Sequence, residues 1–364
     1  MPSQPQPEMA QGPQPITVAA ALAGGFDELI DVRSPAEFAE DHLPGALNWP
    51  VLDDDERARV GTLYVQTSPL AARKLGAALV TRRIAALLEA HVQDKPREWR
   101  PLVYCWRGGQ RSGSLALVLS QIGFRTGQLQ GGYKAFRAHV RTALDTLPER
   151  YDYRVLCGRT GSGKTRLLQA LRDAGAQVLD LEGLARHRGS VLGALPGQPQ
   201  PTQKAFDTAV WQALAGGDAA RPVFVESESA RIGSLRVPEA LLAAMHGRGR
   251  CLRVDTDDAA RVALLLDDYR DSTLDPAPLC RLLDALVELR GRERVAHWQA
   301  LAHGGQWPQL AAALMAEHYD PLYERSMRRS YPGLAAAPSI RLQRGDAAEL
   351  AATAAALVRD STVA

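Results

Sequence analysis

A cysteine in a glycine- and arginine-rich segment is the first feature of the sequence that could do chemistry. The segment VYCWRGGQRS places Cys105 after a short apolar run and Arg111 at the start of a helical pattern. In a loop that joins a strand to a helix, backbone N–H groups and the helix N-terminus converge on the sulfur and favour its nucleophilic thiolate form. Gly108 and Gly109 let the backbone fold tightly around an anion, to which Arg107 adds a charge-assisted contact. We therefore predict that Cys105 and Arg111 are catalytic and that the loop binds an oxyanion.

Two classes of enzyme use a loop of this design, and a third interpretation needs no chemistry. The C-x5-R spacing from Cys105 to Arg111 fits cysteine phosphatases, in which the thiolate takes a phosphoryl group. A strand, cysteine loop and helix of similar length also fit rhodaneses, in which the thiolate takes sulfur as a persulfide. The third interpretation is a buried structural cysteine, because free cysteine is among the most buried residue types. The two glycines and the flanking arginines favour a reactive cysteine.

A second motif, GRTGSGKT, predicts a phosphate-binding loop. It fits the P-loop pattern G-x-x-x-x-G-K-[ST] at every fixed position, between an apolar segment and a helical pattern. Backbone N–H groups of such a loop surround phosphate oxygens, Lys164 reaches the terminal phosphates, and the Thr165 hydroxyl can hold Mg²⁺. The predicted phosphate-binding residues are Gly158, Thr160, Gly161, Ser162, Gly163, Lys164 and Thr165. The motif identifies a bound phosphorylated group and leaves the reaction open.

An acidic segment further along the chain could serve the same loop. In RPVFVESE an apolar run ends in Glu226, which resembles the Walker B position that organises a metal ion or a water molecule. Glu228 could do the same from the following turn. The alternative is an ordinary strand followed by polar loop residues. Apart from these acids, the sequence predicts no dedicated metal site.

Short apolar runs alternate with helical patterns around these motifs, which predicts an α/β fold with parallel sheets. In the first part we expect strands at residues 26–32, 101–104 and 126–129 and helices at residues 34–41, 70–90, 111–121 and 133–144. In the second part we expect strands at residues 153–157, 177–181, 222–225 and 251–255 and a helix at residues 164–173. From about residue 258 the pattern is mostly helical.

The length of 364 residues favours two domains. The polar segment LPERYD is a candidate hinge, and we expect one domain at residues 16–145 and a P-loop domain with a helical C-terminal region at residues 150–364. Residues 1–15 are rich in proline and glutamine, without a basic or an apolar region. We predict a disordered tail and not a signal peptide.

The composition is that of a globular protein, with 46% hydrophobic and 23% charged residues. A net charge of +2 excludes an overall basic field for nucleic acid and leaves room for local basic patches. The four cysteines form no C-x-x-C pair, which argues against a zinc site or a disulfide framework. No apolar run reaches 18 residues, so no membrane span is expected. These features predict a cytoplasmic protein whose Cys105 stays reduced.

The segment LIDVRSPAEFAEDHLPGALN decides between the two enzyme classes. It resembles the D-x-R-x-x-x-E-[FY]-x-x-x-H-[IL]-x-G-[AS] signature of the rhodanese superfamily, and Gly131 and Gly132 before Tyr133 resemble its closing element. The matching residues are Asp31, Arg33, Glu37, Phe38, His42, Pro44, Gly45 and Ala46. The resemblance covers residues 16–140. We interpret Asp31 and Arg33 as an internal pair that stabilises the fold. The cysteine loop is one residue longer than in many sulfurtransferases, which suits a larger anion of phosphate size.

A rhodanese-like domain followed directly by a P-loop domain resembles the tRNA 2-selenouridine synthases. The resemblance extends over residues 16–340 and rests on segments longer than either generic motif. These segments are PVLDDDERARVGTLY, SPLAARKLGAALV, YCWRGGQRS, CGRTGSGKT, HRGSVLG, PQPTQKAF and VESESARIG. The family commonly has serine where this chain has Thr202.

The resemblance implies a reaction and its substrates. Such enzymes replace the sulfur of wobble-position 2-thiouridine in tRNA with selenium from selenophosphate, through an S-geranyl intermediate made from geranyl diphosphate. Cys105 would then carry or deliver selenium, and the P-loop would hold the diphosphate, with Mg²⁺ as its companion and no tightly bound cofactor. A selenophosphate-supplying enzyme is an implied partner. We expect aromatic, histidine and arginine side chains to contact unstacked bases and phosphates of the tRNA. These residues are Trp106, Arg186, His187, Arg188, Arg325, Arg328 and Arg329.

Two other functions remain as alternatives at this point. One is a cysteine phosphatase fused to a kinase-like domain, which shares the C-x5-R loop but gives no reason for the rhodanese signature. The other is a non-catalytic, nucleotide-regulated binding module, since some rhodanese domains lack chemistry. The intact cysteine and the complete P-loop weigh against the second alternative.

Overall fold

The structure is a computed structural model that describes residues 12–190, 192–195, 197–269 and 275–363, with side chains to residue 360. The chain divides into two compact units between Ala143 and Leu144. Each unit contains one five-stranded sheet in which all the pairings are parallel. The predicted α/β class is therefore confirmed.

The first unit has the sheet order β1-β5-β4-β2-β3. Its strands are β1 (Gln14–Ile16), β2 (Glu28–Asp31), β3 (Leu47–Asn48), β4 (Pro101–Tyr104) and β5 (Gly127–Leu129). Its helices are α1 (Val18–Leu22), α2 (Pro35–Glu40), α3 (Asp54–Gln66), α4 (Pro69–His91), α5 (Gln110–Ile122) and α6 (Gly132–Thr146). The central strand β4 is buried along its whole length, as expected for a parallel sheet covered by helices.

The second unit has the sheet order β12-β11-β6-β8-β7 and a separate hairpin of β9 and β10. Its strands are β6 (Tyr153–Cys157), β7 (Gln177–Leu179), β8 (Val223–Glu226), β9 (Arg231–Ile232), β10 (Leu235–Arg236), β11 (Arg250–Thr256) and β12 (Ser339–Leu342). The first of its helices are α7 (Lys164–Asp173), α8 (Leu181–Ala185), α9 (Gln203–Ala215), α10 (Glu239–Arg248) and α11 (Asp258–Asp268). The others are α12 (Pro276–Asp284), α13 (Val287–Arg290), α14 (Arg292–His303), α15 (Trp307–Leu314), α16 (Asp320–Ser330) and α17 (Ala347–Val363).

The expected tail ends earlier than residue 15. Gln14 and Pro15 belong to β1, which pairs in parallel with β5 and is fixed by hydrogen bonds from Gln14 N to Thr126 O and from Gln130 N to Ile16 O. Pro15 is tolerated because β1 is an edge strand. The rest of the predicted tail, residues 1–11, lies outside the described residues.

Other elements also differ from the sequence prediction, and three examples show the physical reasons. The helix α3 was not predicted, since it buries no side chain and so carries little apolar periodicity. The strand β12 lies within the region expected to be mostly helical, and it completes the second sheet beside β11. The strand predicted at residues 177–181 ends at Leu179, because the Asp180 side chain accepts a hydrogen bond from Gly183 N (2.8 Å) and begins α8.

A buried ion pair lies at the carboxyl end of β2, within the rhodanese signature. Arg33 and Asp31 are both fully buried, and the Arg33 guanidinium donates to Asp31 Oδ2 from Nη2 at 2.6 Å. The same Nη2 donates to the Asp41 carbonyl at 2.6 Å, and the guanidinium lies 4.0 Å from the centre of the Tyr133 ring. The two residues thus form the internal pair expected from the sequence, and its contribution to the stability of the fold stays a prediction.

No helix among the described residues is both long enough and apolar enough to cross a membrane.

We predict that Arg33→Met destabilises the protein by about 3–5 kcal/mol, because it leaves the Asp31 carboxylate buried without its counter-charge. Urea unfolding followed by tryptophan fluorescence would measure this loss. Arg82→Met, at an exposed position on α4, is the control and should change stability by less than about 0.5 kcal/mol. A loss of under 1 kcal/mol for Arg33→Met would show that the pair is not required.

Candidate functional site

The cysteine loop connects β4 to α5, as predicted, and a chain of polar groups reaches the sulfur. Cys105 follows the last residue of β4, and α5 begins at Gln110, one residue earlier than expected. The Ser112 hydroxyl lies 3.2 Å from the Cys105 Sγ and 3.2 Å from the Gly109 carbonyl. It also accepts a hydrogen bond from Gln128 Nε2 at 3.1 Å. A hydroxyl in this position can turn its proton toward the sulfur when a thiolate forms.

The cysteine itself is enclosed. Cys105 is 3% exposed and packs in the same apolar cluster as Ile30 and Val103. This burial is what the structural-cysteine interpretation expects, whereas the polar chain through Ser112 is what a thiolate needs. Little of the Cys105 side chain is therefore accessible from solvent.

Glycines hold the loop against the start of α6. Gly108 has φ +65°, and a Cβ there would lie 2.4 Å from Leu129 O. Gly132 has φ +57°, and a Cβ there would lie 2.2 Å from the Cys105 carbonyl. Tyr133 N donates to that same carbonyl at 2.8 Å. The Gly-Gly-Tyr element therefore forms the floor of the loop, whereas a Cβ on Gly109 would meet no atom within 4 Å.

The two arginines of the loop have different environments. Arg111 donates from Nη1 to Glu37 Oε2 on α2 at 2.7 Å, and Arg107 is exposed. Burial works to raise the pKa of Glu37, but the hydrogen bonds and charge of Arg111 outweigh it and hold the pKa below its usual value. An anion bound at this loop would share Arg111 with Glu37. Trp106 is partly buried and packs against the Tyr133 ring, with ring centres 5.3 Å apart.

The P-loop connects β6 to α7 in the context that its motif requires. Gly161 and Gly163 have φ +77° and +83°, which side chains with a Cβ rarely adopt. The Lys164 ammonium turns back onto the loop and donates to the Gly158 carbonyl at 2.8 Å. A fully buried arginine, Arg261, donates to the Thr160 carbonyl at 2.8 Å and pairs with Asp320 at 2.6 Å. The loop is thus fixed in shape by its own domain.

A cavity of about 1200 Å³ opens in front of the P-loop. All the predicted phosphate-binding residues line it, together with the acids Glu226 and Glu228. Side chains of α16, including Tyr323 and Ser326, form another wall. The structure therefore brings the P-loop and the two predicted acids to one site.

A third carboxylate, which the sequence reading missed, joins these two acids. Glu182, in the first turn of α8, lies with Glu226 and Glu228 so that one carboxylate oxygen of each is within 4.8 Å of the others. Burial and the neighbouring carboxylates raise the pKa of Glu182 to about 10 and the pKa of Glu228 to about 8. Burial also raises the pKa of Glu226, which is 4% exposed. The sequence signal that could have indicated Glu182 was its position just after β7, the strand that pairs with β8.

Apart from Trp106, which lies in the first unit, the residues predicted to contact tRNA lie in two separate segments of the second unit. Arg186 is exposed with φ +50°, and His187 is 7% exposed, which leaves its ring little area for stacking on a base. Arg188 lines the P-loop cavity and lies 4.5 Å from the centre of the Tyr269 ring. Exposed arginines of α16 are Arg325, Arg328 and Arg329. Among the residues that the structure describes, Arg188 is the member of this set that reaches the cavity wall.

We predict that Ser112→Ala slows the alkylation of Cys105 about fivefold at neutral pH, because the loss of one hydrogen bond to the thiolate costs about 1 kcal/mol. Peptide mapping by mass spectrometry after timed iodoacetamide treatment would follow Cys105 separately from the other cysteines. Ser114→Ala is the control, since Ser114 on the same helix bonds the Gln110 carbonyl. An unchanged rate in Ser112→Ala would contradict the role given to its hydroxyl.

Comparison with known proteins agrees with this division of the chain. Residues 15–139 match the model of the rhodanese-like domain, and residues 151–278 match that of the tRNA 2-selenouridine synthase AAA domain. The rhodanese resemblance stated from the sequence is thereby confirmed.

Similar curated proteins carry the name tRNA 2-selenouridine synthase. The protein from Alcanivorax borkumensis is 34% identical over 335 residues, which is 83% of this chain and 90% of that protein. The protein from Marinobacter nauticus is 36% identical over 329 residues, 81% of this chain and 87% of that protein. The protein from Nitrosomonas europaea is 36% identical over 252 residues, 66% of this chain and 63% of its own length, so that alignment spans just under two thirds of it. This chain belongs to the tRNA 2-selenouridine synthase family.

Proposed function

We propose that this protein replaces the sulfur of wobble-position 2-thiouridine in tRNA with selenium from selenophosphate, through an S-geranyl intermediate made from geranyl diphosphate. It would thus act as both a tRNA geranyltransferase and a selenotransferase. The name of its relatives supports the overall reaction on tRNA. The two units supply a cysteine loop suited to an oxyanion and a P-loop suited to a diphosphate.

The observation that carries the prenyl part of the proposal is an apolar pocket beside the P-loop cavity. The pocket has a volume of about 90 Å³, and Leu279, Leu310 and Leu314 are among its lining residues. Residues that line both the pocket and the cavity are Thr160, Ser190, Leu265, Tyr269 and Tyr319. An apolar space of this kind excludes water and favours hydrocarbon. With diphosphate at the P-loop, the pocket would receive part of the ten-carbon prenyl chain, since its volume is smaller than the roughly 150 Å³ of a cavity that binds benzene.

The first step forms one bond and breaks one. The thiocarbonyl sulfur attacks C1 of geranyl diphosphate, the C1–O bond breaks, and diphosphate leaves with the electron pair. The pyrimidine N3 loses its proton as the S-geranyl product forms. Diphosphate leaves readily only when its charge is neutralised, which Lys164 and the P-loop N–H groups can do.

The second step exchanges sulfur for selenium at C2 of the base. S-Alkylation turns the sulfur into a better leaving group, so the selenium of selenophosphate can add to C2 and geranylthiolate can depart as the C2–S bond breaks. Water then cleaves the P–Se bond, which releases phosphate and leaves the 2-seleno base with a proton back on N3. Cys105 is the proposed nucleophile of this step: its thiolate can displace geranylthiolate from C2 and is then itself displaced by the selenium, while Arg111 binds the selenophosphate anion. We also propose that Arg188 and Trp106 contact the tRNA, that the protein acts in the cytoplasm, and that a selenophosphate-supplying enzyme is its partner.

The test is a reaction of the purified full chain with tRNA that contains 2-thiouridine. Geranyl diphosphate is added alone and then with selenophosphate, and the digested nucleosides are analysed by mass spectrometry. We expect the geranylated nucleoside first and the 2-seleno nucleoside after selenophosphate. Lys164→Ala should lose geranylation, because it removes the positive charge that neutralises the diphosphate. Cys105→Ala should lose selenation and keep geranylation.

Two variants control for general damage, Lys74→Ala on the exposed surface of α4 and Cys280→Ala in the helical region. Both should form both products at the rate of the unchanged protein. Thiouridine that stays unmodified under all conditions would refute the proposed function. Hydrolysis of aryl phosphates that depends on Cys105 would support the phosphatase alternative instead.

The apolar pocket can be tested separately from the chemistry. We predict that Ala311→Phe, which fills the pocket from α15, raises the KM for geranyl diphosphate at least tenfold and leaves the affinity for inorganic diphosphate unchanged. Ala312→Phe is the matched control, because Ala312 is exposed on the same helix. Equal losses for both ligands, or no loss for either, would show that the prenyl chain lies elsewhere.

A further inference from the structure

We propose that Glu182, Glu226 and Glu228 form a site for one divalent cation of the magnesium type. The protein can bind this cation before any phosphorylated ligand enters the cavity. The site lies on the wall of the P-loop cavity. This inference concerns the second unit alone, and it holds whichever phosphorylated compound the P-loop receives.

The geometry suits a small cation with oxygen ligands. Mg²⁺ takes six oxygen ligands at about 2.1 Å, so neighbouring ligand oxygens are about 3.0 Å apart and opposite ones about 4.2 Å apart. One carboxylate oxygen from each of the three residues already lies within 4.8 Å of the other two. To bind one ion, these side chains would have to bring their oxygens to about 3.0–4.2 Å from one another.

The three carboxylates are held by separate elements of one sheet edge. Glu226 is the last residue of β8 and Glu228 lies in the turn after it. Glu182 is in the first turn of α8, which directly follows the neighbouring strand β7. Gly189 lies next to the cluster, where a Cβ would be 2.3 Å from Glu182 Oε1 and 3.5 Å from Glu228 Oε2. Only glycine leaves the oxygens of these two residues clear at that point.

The second observation is an orphaned oxygen at the centre of the cluster. Glu226 is 4% exposed, and its Oε1 has no hydrogen-bond partner within the described part of the chain. Glu226 also interacts with the hydroxyl of Thr165, the P-loop residue expected to hold Mg²⁺. A buried carboxylate oxygen left without a partner is costly, whereas a bound cation would satisfy it.

The three carboxylates also lack a basic partner within hydrogen-bonding distance. Among the described residues, no arginine, lysine or histidine forms an ion pair with any of the three glutamates. The nearby Lys164 donates instead to the carbonyls of Gly158 and Arg159, at 2.8 and 3.4 Å. A divalent cation would supply the missing charge without removing Lys164 from the phosphate side of the cavity.

Three protein carboxylates distinguish this site from the usual arrangement of a P-loop. There, Mg²⁺ is held by one or two protein groups and the phosphates, so it binds together with the nucleotide. Here the ligand set from the protein alone is large enough to hold the ion. We therefore infer that the metal binds first and that the phosphorylated ligand binds to the metal-loaded site.

The test uses Mn²⁺ as the probe on the metal-stripped full chain, without tRNA or any phosphorylated compound. Electron paramagnetic resonance counts the free Mn²⁺, and we expect one saturable site from which Mg²⁺ displaces the probe. Glu182→Gln and Glu228→Gln should each weaken Mn²⁺ binding at least tenfold. Glu239→Gln, at an exposed position in the first turn of α10, should leave it unchanged.

Lys164→Ala separates this site from a metal that arrives with phosphate, because it should bind Mn²⁺ at least as tightly as the unchanged protein. Thermal unfolding of each variant in EDTA confirms that it is folded. Absence of a saturable Mn²⁺ site, or equal affinity in Glu182→Gln and Glu239→Gln, would overturn the proposal. Failure of geranylation with Mn²⁺ binding intact would count against the proposed function alone.

Discussion

Hydrogen bonding between parallel strands aligns their carboxyl ends, and both chemical sites of this chain depend on that alignment. In the second unit, β6 ends at the P-loop and its neighbour β8 ends at Glu226, with Leu156 directly opposite Glu226 in the register. The next strand, β7, leads into α8 and Glu182. In the first unit β4 ends at Cys105 by the same rule. Residues far apart in the sequence become neighbours at an edge where backbone N–H groups are free for ligands.

The charged residues near these strand ends have different partners in the two units. In the first unit, arginines are paired with acids of the same domain, with Arg33 held by Asp31 and Arg111 held by Glu37. In the second unit, Arg166 and Arg261 are likewise paired, yet the three glutamates of the cavity wall are not. This is the position at which we propose that a bound cation supplies the counter-charge.

Sequence patterns predicted the parts of the sites that are contiguous in the chain. The cysteine loop and the P-loop were predictable because each places its ligands within ten residues, between an apolar strand and a helix. Ser112 was within that reach and was missed, since a serine on a helix has no distinctive pattern until its distance to the sulfur is known. Glu182 was missed because its partners lie more than 40 residues away in the sequence. The strand β12 was missed because its pairing with β11 spans more than 80 residues.

Recognition of the diphosphate and selection of the donor depend on different interactions. Backbone N–H groups and a lysine bind phosphate oxygens in the same way whatever is attached to them, so the P-loop alone cannot distinguish a nucleotide from a prenyl diphosphate. Discrimination must come from the space next to the phosphates. Here that space is a small apolar pocket that shares Leu265 and Tyr269 with the cavity, and it offers little for the hydrogen-bonding edges of a purine. A hydrocarbon chain would lose no hydrogen bonds on entering it, which is consistent with the prenyl donor that we propose.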